Sequence, residues 1–420
     1  MKAEDVDVIH HRRALVLAGG GARGAYEAGV LSYVFEHVYP RLPAGFEFDI
    51  FSGTSVGAVH AAFGAATANV DPGLRAKQLL ETWTTMRLTD VFRLTLRDLL
   101  AMPLRALGLW RARGSTRGNQ VLGGLVDVSP LERIVEKRIP WRRLPDALRH
   151  PTPKALCISC TDVRTGRATV FMDGPLSDPG PWSHDANAGA IETRIHARHV
   201  RASAAIPFLF PAVLVDGRYY VDGGLRMNTP LSPALRLAAD RVLVVAAGQQ
   251  PGAAGGPAPY PEEVVTQPAF LLGKVLDALT LDQLEYQIQR IDLVNALIAR
   301  GEEVYGPDFL ARINPAVREQ RGTGYRRVDT AIVRPSQDLG ALAAACHRCG
   351  GGPRELGLLS TLLTRAARHG VPEEEGGLLS YLLFDRCYTE PLVELGRADA
   401  QAREDELVEL LTGRLEGGKS

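Results

Sequence analysis

Apolar residues in the first 250 positions fall into short continuous runs, separated by glycine-rich turns and by segments of helical periodicity. Residues 14–18 (Ala-Leu-Val-Leu-Ala) and 242–245 (Val-Leu-Val-Val) are apolar throughout, which is typical of strands covered on both faces of a parallel sheet. Residues 25–37 and 71–86 instead repeat apolar positions at helical spacing. The pattern predicts an α/β fold with a central, mostly parallel sheet flanked by helices.

Turn residues between apolar runs indicate two further strand pairs. Residues 212–221 predict a hairpin, because two apolar runs flank Asp216-Gly217, a favoured type I′ pair. Residues 154–172 predict a second pair of strands that meet across a Thr-Gly turn. Residues 173–190 are rich in Pro, Gly, Asp and Asn, and we interpret them as a long surface loop.

The pattern becomes mainly helical in the last part of the chain. Residues 268–300 carry apolar side chains at helical spacing, whereas 328–333 indicate one late strand. We therefore divide the chain into an N-terminal arm (1–13), a main domain (14–250) and a mostly helical extension (251–420) that packs on the main domain.

Composition and charge exclude several classes of protein. The 420 residues include 48 Lys+Arg and 48 Asp+Glu, so net charge gives no argument for a nucleic-acid partner. Five cysteines, an odd and low number, indicate free thiols in a reducing compartment. The polar N-terminus lacks the apolar core of a signal peptide, and no run of about 18 apolar residues could form a transmembrane helix. We expect a cytoplasmic protein whose contact with membrane, if any, is peripheral.

Residues 87–118 differ from the rest of the main domain, because seven arginines alternate there with leucines and one tryptophan. A basic amphipathic stretch of this kind can lie on an anionic lipid surface, and we keep that interpretation for this segment. The alternative is an ordinary solvated arginine face above a stripe of core residues.

The spacing Gly53-x-Ser55-x-Gly57 follows an apolar run and precedes a helix of small residues. A serine on such a strand-to-helix corner is held in a strained backbone conformation, and its neighbours two residues away must lack a Cβ for the chain to close. The corner projects the hydroxyl at the positive end of the helix dipole. Ser55 is therefore a candidate nucleophile, although the same spacing also occurs in ordinary glycine-rich turns.

A glycine-rich loop follows the first strand and has two interpretations. Gly19, Gly21 and Gly24 satisfy the dinucleotide spacing G-x-G-x-x-G, with Asp49 at about the right distance for a ribose contact. Alternatively, the loop is an oxyanion hole for Ser55. We favour the second interpretation, because the strand after Asp49 runs on into the Ser55 corner and the nucleotide hypothesis leaves that serine unexplained.

Asp222 ends the second strand of the predicted hairpin and is followed by Gly223 and Gly224. An acidic residue at a strand end, next to glycines that permit close approach of backbone, is placed like a functional carboxylate. A simple cap of the following turn is the alternative.

These three blocks, residues 19–24, 53–57 and 222–224, resemble the signature of the patatin-like phospholipase family. That family combines a G-G-G-x-[RK]-G loop with a G-x-S-x-G nucleophile and a D-G-[GA] aspartate, and the resemblance covers residues 14–250. It implies a patatin-like three-layer sandwich and a serine lipid acyl hydrolase that cleaves carboxylic esters of glycerolipids or phospholipids. It also implies a Ser-Asp dyad that needs no metal and no organic cofactor.

The resemblance assigns a role to eleven positions of this sequence. Arg23 would stiffen the loop or attract a phosphate head group. The assigned residues are Ser55 (nucleophile), Asp222 (general base), Gly20, Gly21 and Ala22 (oxyanion hole), Arg23 and Gly24 (loop shape), and Gly53, Gly57, Gly223 and Gly224 (motif glycines).

Three alternatives stay open. An α/β-hydrolase triad would take its histidine from His347 or His369, but too few strands precede Ser55 to build the usual sheet, and His60 is expected only to pack in its helix. A nucleotide-binding protein would use the glycine loop, and a catalytically silent membrane-binding protein would use residues 87–118. Oligomeric state does not follow from the sequence.

Overall fold

The computed structural model describes residues 11–91, 127–207, 209–248, 284–349 and 377–413. Most of the basic segment 87–118, most of the N-terminal arm, residues 251–283 and His369 lie outside these ranges. The described strands are β1 (Arg13–Leu17), β2 (Ile50–Thr54), β3 (Ala155–Asp162), β4 (Ala168–Asp173), β5 (Ala188–Glu192), β6 (Val213–Val215), β7 (Arg218–Asp222), β8 (Arg241–Val245) and β9 (Asp329–Val333). The described helices are α1 (Gly24–Tyr33), α2 (Val56–Ala66), α3 (Pro72–Thr85), α4 (Leu88–Val91), α5 (Ser129–Arg138), α6 (Leu144–Ala147), α7 (Ala197–Ser203), α8 (Leu231–Arg236), α9 (Leu284–Tyr305), α10 (Phe309–Arg321), α11 (Leu339–Arg348), α12 (Gly377–Leu382), α13 (Arg386–Gln401) and α14 (Glu404–Thr412).

The strands form one mixed sheet in the order β5-β4-β3-β2-β1-β8-β9. Strands β3, β2, β1, β8 and β9 are parallel, whereas β4 runs antiparallel to β3 and pairs in parallel with β5. The β6–β7 hairpin turns at Asp216 and Gly217, both at positive φ as a type I′ turn requires. The predicted α/β class, mostly parallel sheet and hairpin are thus confirmed.

Strand β1 shows how the sheet separates two layers of helices. Leu15 and Leu17 point to one face, where they pack in a core with residues of α1, α2, α3 and α13. Ala14 and Val16 point to the other face, where the core includes residues of α8 and α9. This burial on both faces explains why β1 is apolar at every position.

Residues from the C-terminal part of the chain complete both the sheet and one helical layer. Strand β9 pairs with β8 along its whole length, from Asp329 opposite Arg241 to Val333 opposite Val245. Helix α13 crosses α1 so closely that a Cβ added at Gly396 would lie 2.2 Å from the carbonyl oxygen of Tyr26. Helix α1 begins directly after the glycine-rich loop, so α13 supports the element that positions that loop.

Two predictions differ from the structure. Residues 188–190 belong to the predicted surface loop but form the first part of β5, an edge strand whose last two residues are exposed and whose Ala-Gly-Ala start gives no strand pattern. The prediction of free thiols is wrong for Cys346 and Cys387, which form a disulfide between α11 and α13. Their separation of 41 residues gives no local signal of pairing. None of the described helices contains an 18-residue window apolar enough to cross a membrane.

Candidate active site

Ser55 occupies the corner between β2 and α2 that the sequence predicts. Its backbone lies at φ 54° and ψ −120°, a strained conformation for a residue with a side chain. A Cβ at Gly53 would lie 2.2 Å from the carbonyl oxygen of Gly57, and one at Gly57 would lie 2.3 Å from that of Leu17. Both motif glycines are therefore sterically required for the corner to close.

Asp222 reaches Ser55 because β2 and β7 lie end to end along the same side of β3. Strand β2 pairs with β3 as far as Thr54, which lies opposite Ser159. Strand β7 continues from the next residue of β3, where Asp222 lies opposite Cys160. Since Ser55 follows Thr54 directly, the ends of the two strands bring the hydroxyl and the carboxylate together, close enough for the Ser55 side chain to lower the pKa of Asp222.

The Asp222 carboxylate is held in place and is largely removed from water. Its Oδ1 accepts a hydrogen bond of 2.7 Å from the amide of Gly224, while its own amide donates to the carbonyl of Ala205. Only 7% of the residue is exposed. Burial raises the pKa of Asp222 to about 6, although the bonds from Gly224 and Ser55 act in the opposite direction. A carboxylate with this pKa is a competent proton acceptor near neutral pH.

The glycine-rich loop runs directly beside Ser55. A Cβ added at Gly19 would lie 3.3 Å from the Cβ of Ser55, and the Gly19 amide donates to the carbonyl of Asn228. Gly21 adopts φ 55°, which turns the chain from β1 towards α1. The loop and the Ser55 corner thus share one edge of the sheet, the carboxyl ends of β1 and β2.

Asp49 lies at the opposite edge of the sheet from this loop. It precedes β2, and its Oδ2 accepts a hydrogen bond from the backbone amide of Arg13, at the start of β1. Five residues of strand separate the two edges, roughly 16 Å. Asp49 therefore does not take the place of the ribose-binding carboxylate in a dinucleotide site.

A sequence model of the patatin-like phospholipases matches residues 15–235, more than half of the chain. The chain belongs to the patatin-like phospholipase family. We call the matched residues the patatin domain. Ser55, Asp222 and the glycine-rich loop all lie within it.

Three relatives illustrate the range of the similarity. An uncharacterised NTE family protein of Mycobacterium tuberculosis is 28% identical over 255 residues, which are 61% of this chain and 53% of that protein. The patatin-like phospholipase domain-containing protein 7 of Mus musculus is 25% identical over 240 residues, 56% of this chain and 14% of the mouse protein. A cGAMP-activated phospholipase of Pseudomonas aeruginosa is 27% identical over 216 residues, 51% of this chain and 53% of that protein. The similarity therefore spans about half of the mycobacterial and Pseudomonas proteins.

Arg23 of the patatin domain is held by residues of the C-terminal part of the chain. Its Nε and Nη2 donate to the hydroxyl of Ser380, its Nη1 donates to that of Tyr381, and its guanidinium stacks over the Tyr381 ring. A Cβ at Gly21 would lie 2.4 Å from the Tyr381 carbonyl oxygen. Of the two roles considered for Arg23, these contacts support stiffening of the loop. The sequence separation of 357 residues explains why no local pattern predicted the partner.

Ser203 is a buried residue of the site that sequence reasoning missed. Its hydroxyl accepts a hydrogen bond of 2.9 Å from the amide of Ser55 and donates one of 2.6 Å to the carbonyl of Ser159. It thereby ties the strained corner to β3. Ser203 lies on the short helix α7, where neither charge nor spacing distinguishes it from its neighbours.

We expect Ser203→Ala to reduce kcat for ester hydrolysis about tenfold, because it leaves the buried Ser55 amide without a partner, at a cost of about 1–3 kcal/mol. Steady-state kinetics on a soluble short-chain ester would measure the change. Ser183→Ala, which alters an exposed serine, is the matched control. Unchanged kcat in Ser203→Ala would show that this hydrogen bond does not hold the corner in its active form.

His60 of the patatin domain is buried in a network separate from Ser55. Its Nε2 accepts from the indole N–H of Trp83 at 2.8 Å, so the proton resides on Nδ1, which lies 2.8 Å from a carboxyl oxygen of Glu27. Burial lowers the pKa of His60 to about 3, and the ring is neutral at pH 7. These contacts agree with the expectation that His60 only packs. His347 lies on α11, outside the matched residues.

The pKa of Asp222 leads to a prediction about pH. If the carboxylate acts as the base, it must be ionised, so kcat/KM should fall about tenfold per pH unit below pH 6 and level off above it. A pH profile on a neutral short-chain ester would measure this, with near-ultraviolet circular dichroism as a control for folding. A profile that is flat down to pH 4.5 in folded protein would contradict a base with this pKa.

Proposed function

We propose that this chain is a serine lipid acyl hydrolase that cleaves carboxylic esters of phospholipids or neutral glycerolipids. The observation that carries the proposal is the meeting of the Ser55 side chain and the buried Asp222 carboxylate beside the glycine-rich loop. Membership of the patatin-like family supports it, as do the two relatives whose names contain the word phospholipase.

In the proposed first half-reaction, the Ser55 oxygen attacks the carbonyl carbon of the ester while Asp222 accepts the hydroxyl proton. Serine alone is a poor nucleophile, and a base in contact with it supplies the activation. The negative charge that develops on the carbonyl oxygen would be stabilised by the amides of Gly20, Gly21 and Ala22. In related sites, each such donor contributes about 3–4 kcal/mol.

The tetrahedral intermediate then collapses and the ester C–O bond breaks. The departing alcohol, a lysolipid when the substrate is a phospholipid, takes the proton from Asp222, and the acyl group stays on Ser55. In the second half-reaction, Asp222 accepts a proton from water, whose oxygen attacks the acyl carbon. Collapse of this second intermediate returns the proton to Ser55 and releases a fatty acid.

The test is mass spectrometry of lipids after incubation of the protein with mixed phospholipid vesicles. We expect free fatty acids and lysophospholipids to accumulate, and we expect an alkyl fluorophosphonate to prevent this and to add covalently to the peptide containing Ser55. Absence of both products and adduct would refute the proposal.

Two further measurements, read together with this experiment, separate the two alternative functions from the proposed one. A nucleotide-binding protein would show a thermal shift with NAD or ATP and no adduct on Ser55. A silent membrane-binding protein would sediment with anionic vesicles in a salt-dependent manner and release no fatty acid. Residues 92–118, on which that second alternative mainly depends, lie outside the described part of the chain.

A further inference from the structure

A cavity of about 750 Å³ lies on the face of the sheet that carries α8 and α9. Its walls come from these two helices, from the end of α10 and from the segments 184–188, 225–227 and 323–328. Neither Ser55 nor Asp222 lines it, so it is distinct from the candidate active site. Its volume falls in the range of small-molecule binding sites, about 300–1,000 Å³.

Positive charge dominates the lining of this cavity. The only carboxylate among its described lining residues is Asp185, which forms an ion pair with one arginine and leaves four without a counter-charge from the lining. The lining arginines are Arg226, Arg236, Arg290, Arg321 and Arg326.

The groups in direct contact with the four remaining arginines are neutral, although Asp240, outside the lining, acts on Arg326 through its charge. Arg226 donates to the carbonyl of Gly166, and Arg326 donates to the hydroxyl of Thr323. Arg321 stacks over a tyrosine ring, and within the described ranges neither it nor Arg290 lies within 4 Å of a carboxylate oxygen.

Three of the lining arginines are close enough for their positive charges to repel one another. Burial lowers the pKa of Arg236, and the nearby Arg321 and Arg290 lower it further against the effect of Asp185. Burial also lowers the pKa of Arg326, although the charge of Asp240 acts in the opposite direction. Holding uncompensated guanidinium groups together in a partly enclosed space costs free energy. A bound anion would offset this cost by neutralising part of the positive charge.

Guanidinium groups suit one class of anion above others. Their planar fork donates two parallel hydrogen bonds to a phosphate group, and several such groups around one cavity can contact several phosphates. We propose that this cavity binds a small anion bearing two or more phosphate groups, either a soluble phosphorylated metabolite or the phosphorylated head group of a lipid. The proposal does not depend on hydrolysis at Ser55.

The decisive measurement is isothermal titration calorimetry of the full chain with sodium tripolyphosphate, carried out in the Ser55→Ala background to exclude turnover. We expect one tripolyphosphate per chain, with an affinity that falls as sodium chloride is added. The double variant Arg290→Ala/Arg321→Ala should bind at least about tenfold more weakly, because each guanidinium supplies charge-assisted hydrogen bonds. Neither residue has an ion-pair partner in the described structure, so the fold should be retained.

The double variant Arg300→Ala/Arg312→Ala is the matched control, since it removes two arginines from the same helices, α9 and α10, outside the cavity. A second arm measures sedimentation with phosphatidylcholine vesicles that do or do not contain phosphatidylinositol 4,5-bisphosphate. Tripolyphosphate binding that requires Arg290 and Arg321 identifies a site open to soluble ligands. Vesicle binding alone with the same requirement identifies a lipid head group. Binding in neither arm, or equal binding by the two double variants, would overturn the proposal.

Discussion

Replacing Ser55 by alanine should reduce the hydrolysis of lipid esters by about 10⁴- to 10⁶-fold, the range seen when a nucleophilic serine is removed from a hydrolase. No other group is proposed to form the acyl-enzyme, so the covalent route is lost completely. The change removes one buried hydroxyl and no backbone contact, because the corner is held by the Ser55 amide and by the glycines at positions 53 and 57. We therefore expect the fold to survive.

Release of fatty acid from phospholipid vesicles and from a short-chain ester would be measured for wild type and variant, together with labelling by a fluorophosphonate. Ser183→Ala, at an exposed position, should behave as wild type. If folded Ser55→Ala retained turnover within tenfold of wild type, the nucleophile would have to be sought elsewhere. The proposal for the arginine-lined cavity would be unaffected by that result.

The variant Asp222→Asn is expected to lower kcat by about 10⁴-fold, as loss of the aspartate does in a serine protease triad. Asparagine can still accept the hydrogen bond from the Gly224 amide, so the geometry should persist. It cannot accept a proton from Ser55, and the hydroxyl then lacks a base. Both half-reactions should fail. Replacing a residue that only positions the substrate would not remove the base from either of them.

The stability of the folded Asp222→Asn variant should increase, although its activity falls. Because burial raises the pKa of Asp222 from 3.8 to about 6, the ionised carboxylate destabilises the folded state above pH 6, by about 3 kcal/mol. Below pH 3.8 the group is protonated in both states and this cost vanishes. Asp222→Asn should therefore raise Tm at pH 8 and have little effect on Tm near pH 4.

Thermal unfolding at the two pH values would test this, with Asp216→Asn as the control. Asp216 lies in the hairpin turn at φ 46°, a conformation that asparagine tolerates, so the control makes the same chemical change on the same hairpin. An inactive Asp222→Asn variant that is also less stable at pH 8 would indicate a structural role for the carboxylate. Full activity in that variant would exclude it as the base.

The features predicted correctly are those that depend on a residue's own type and on its near neighbours along the chain. Strands β1 and β8 are apolar at nearly every position because helices cover both faces of the sheet, and a continuous apolar run needs no knowledge of partners. The corner at Ser55 was predictable because its steric requirement involves glycines only two residues away. The hairpin was predictable because Asp216-Gly217 suits positive φ at both central positions.

The features that the sequence could not predict depend on distant partners. Strand β5 is defined by its pairing with β4, and its own residues are short and mixed. The approach of Asp222 to Ser55 follows from the end-to-end arrangement of β2 and β7 beside β3, so it was expected from the family resemblance and not from spacing. The arginines of the cavity are dispersed over a hundred positions from Arg226 to Arg326, with no cluster in sequence to indicate it.

The contacts that Ser380 and Tyr381 make with Arg23 affect the design of truncated forms of the protein. A recombinant fragment trimmed to the family match, residues 15–235, would contain every residue proposed for chemistry. It would nevertheless lack β8, β9, α13 and the residues that hold Arg23 of the glycine-rich loop, exposing apolar edges to solvent. Such a fragment should aggregate or fold inactive, so truncation series for this chain should start from the far C-terminus and proceed inward.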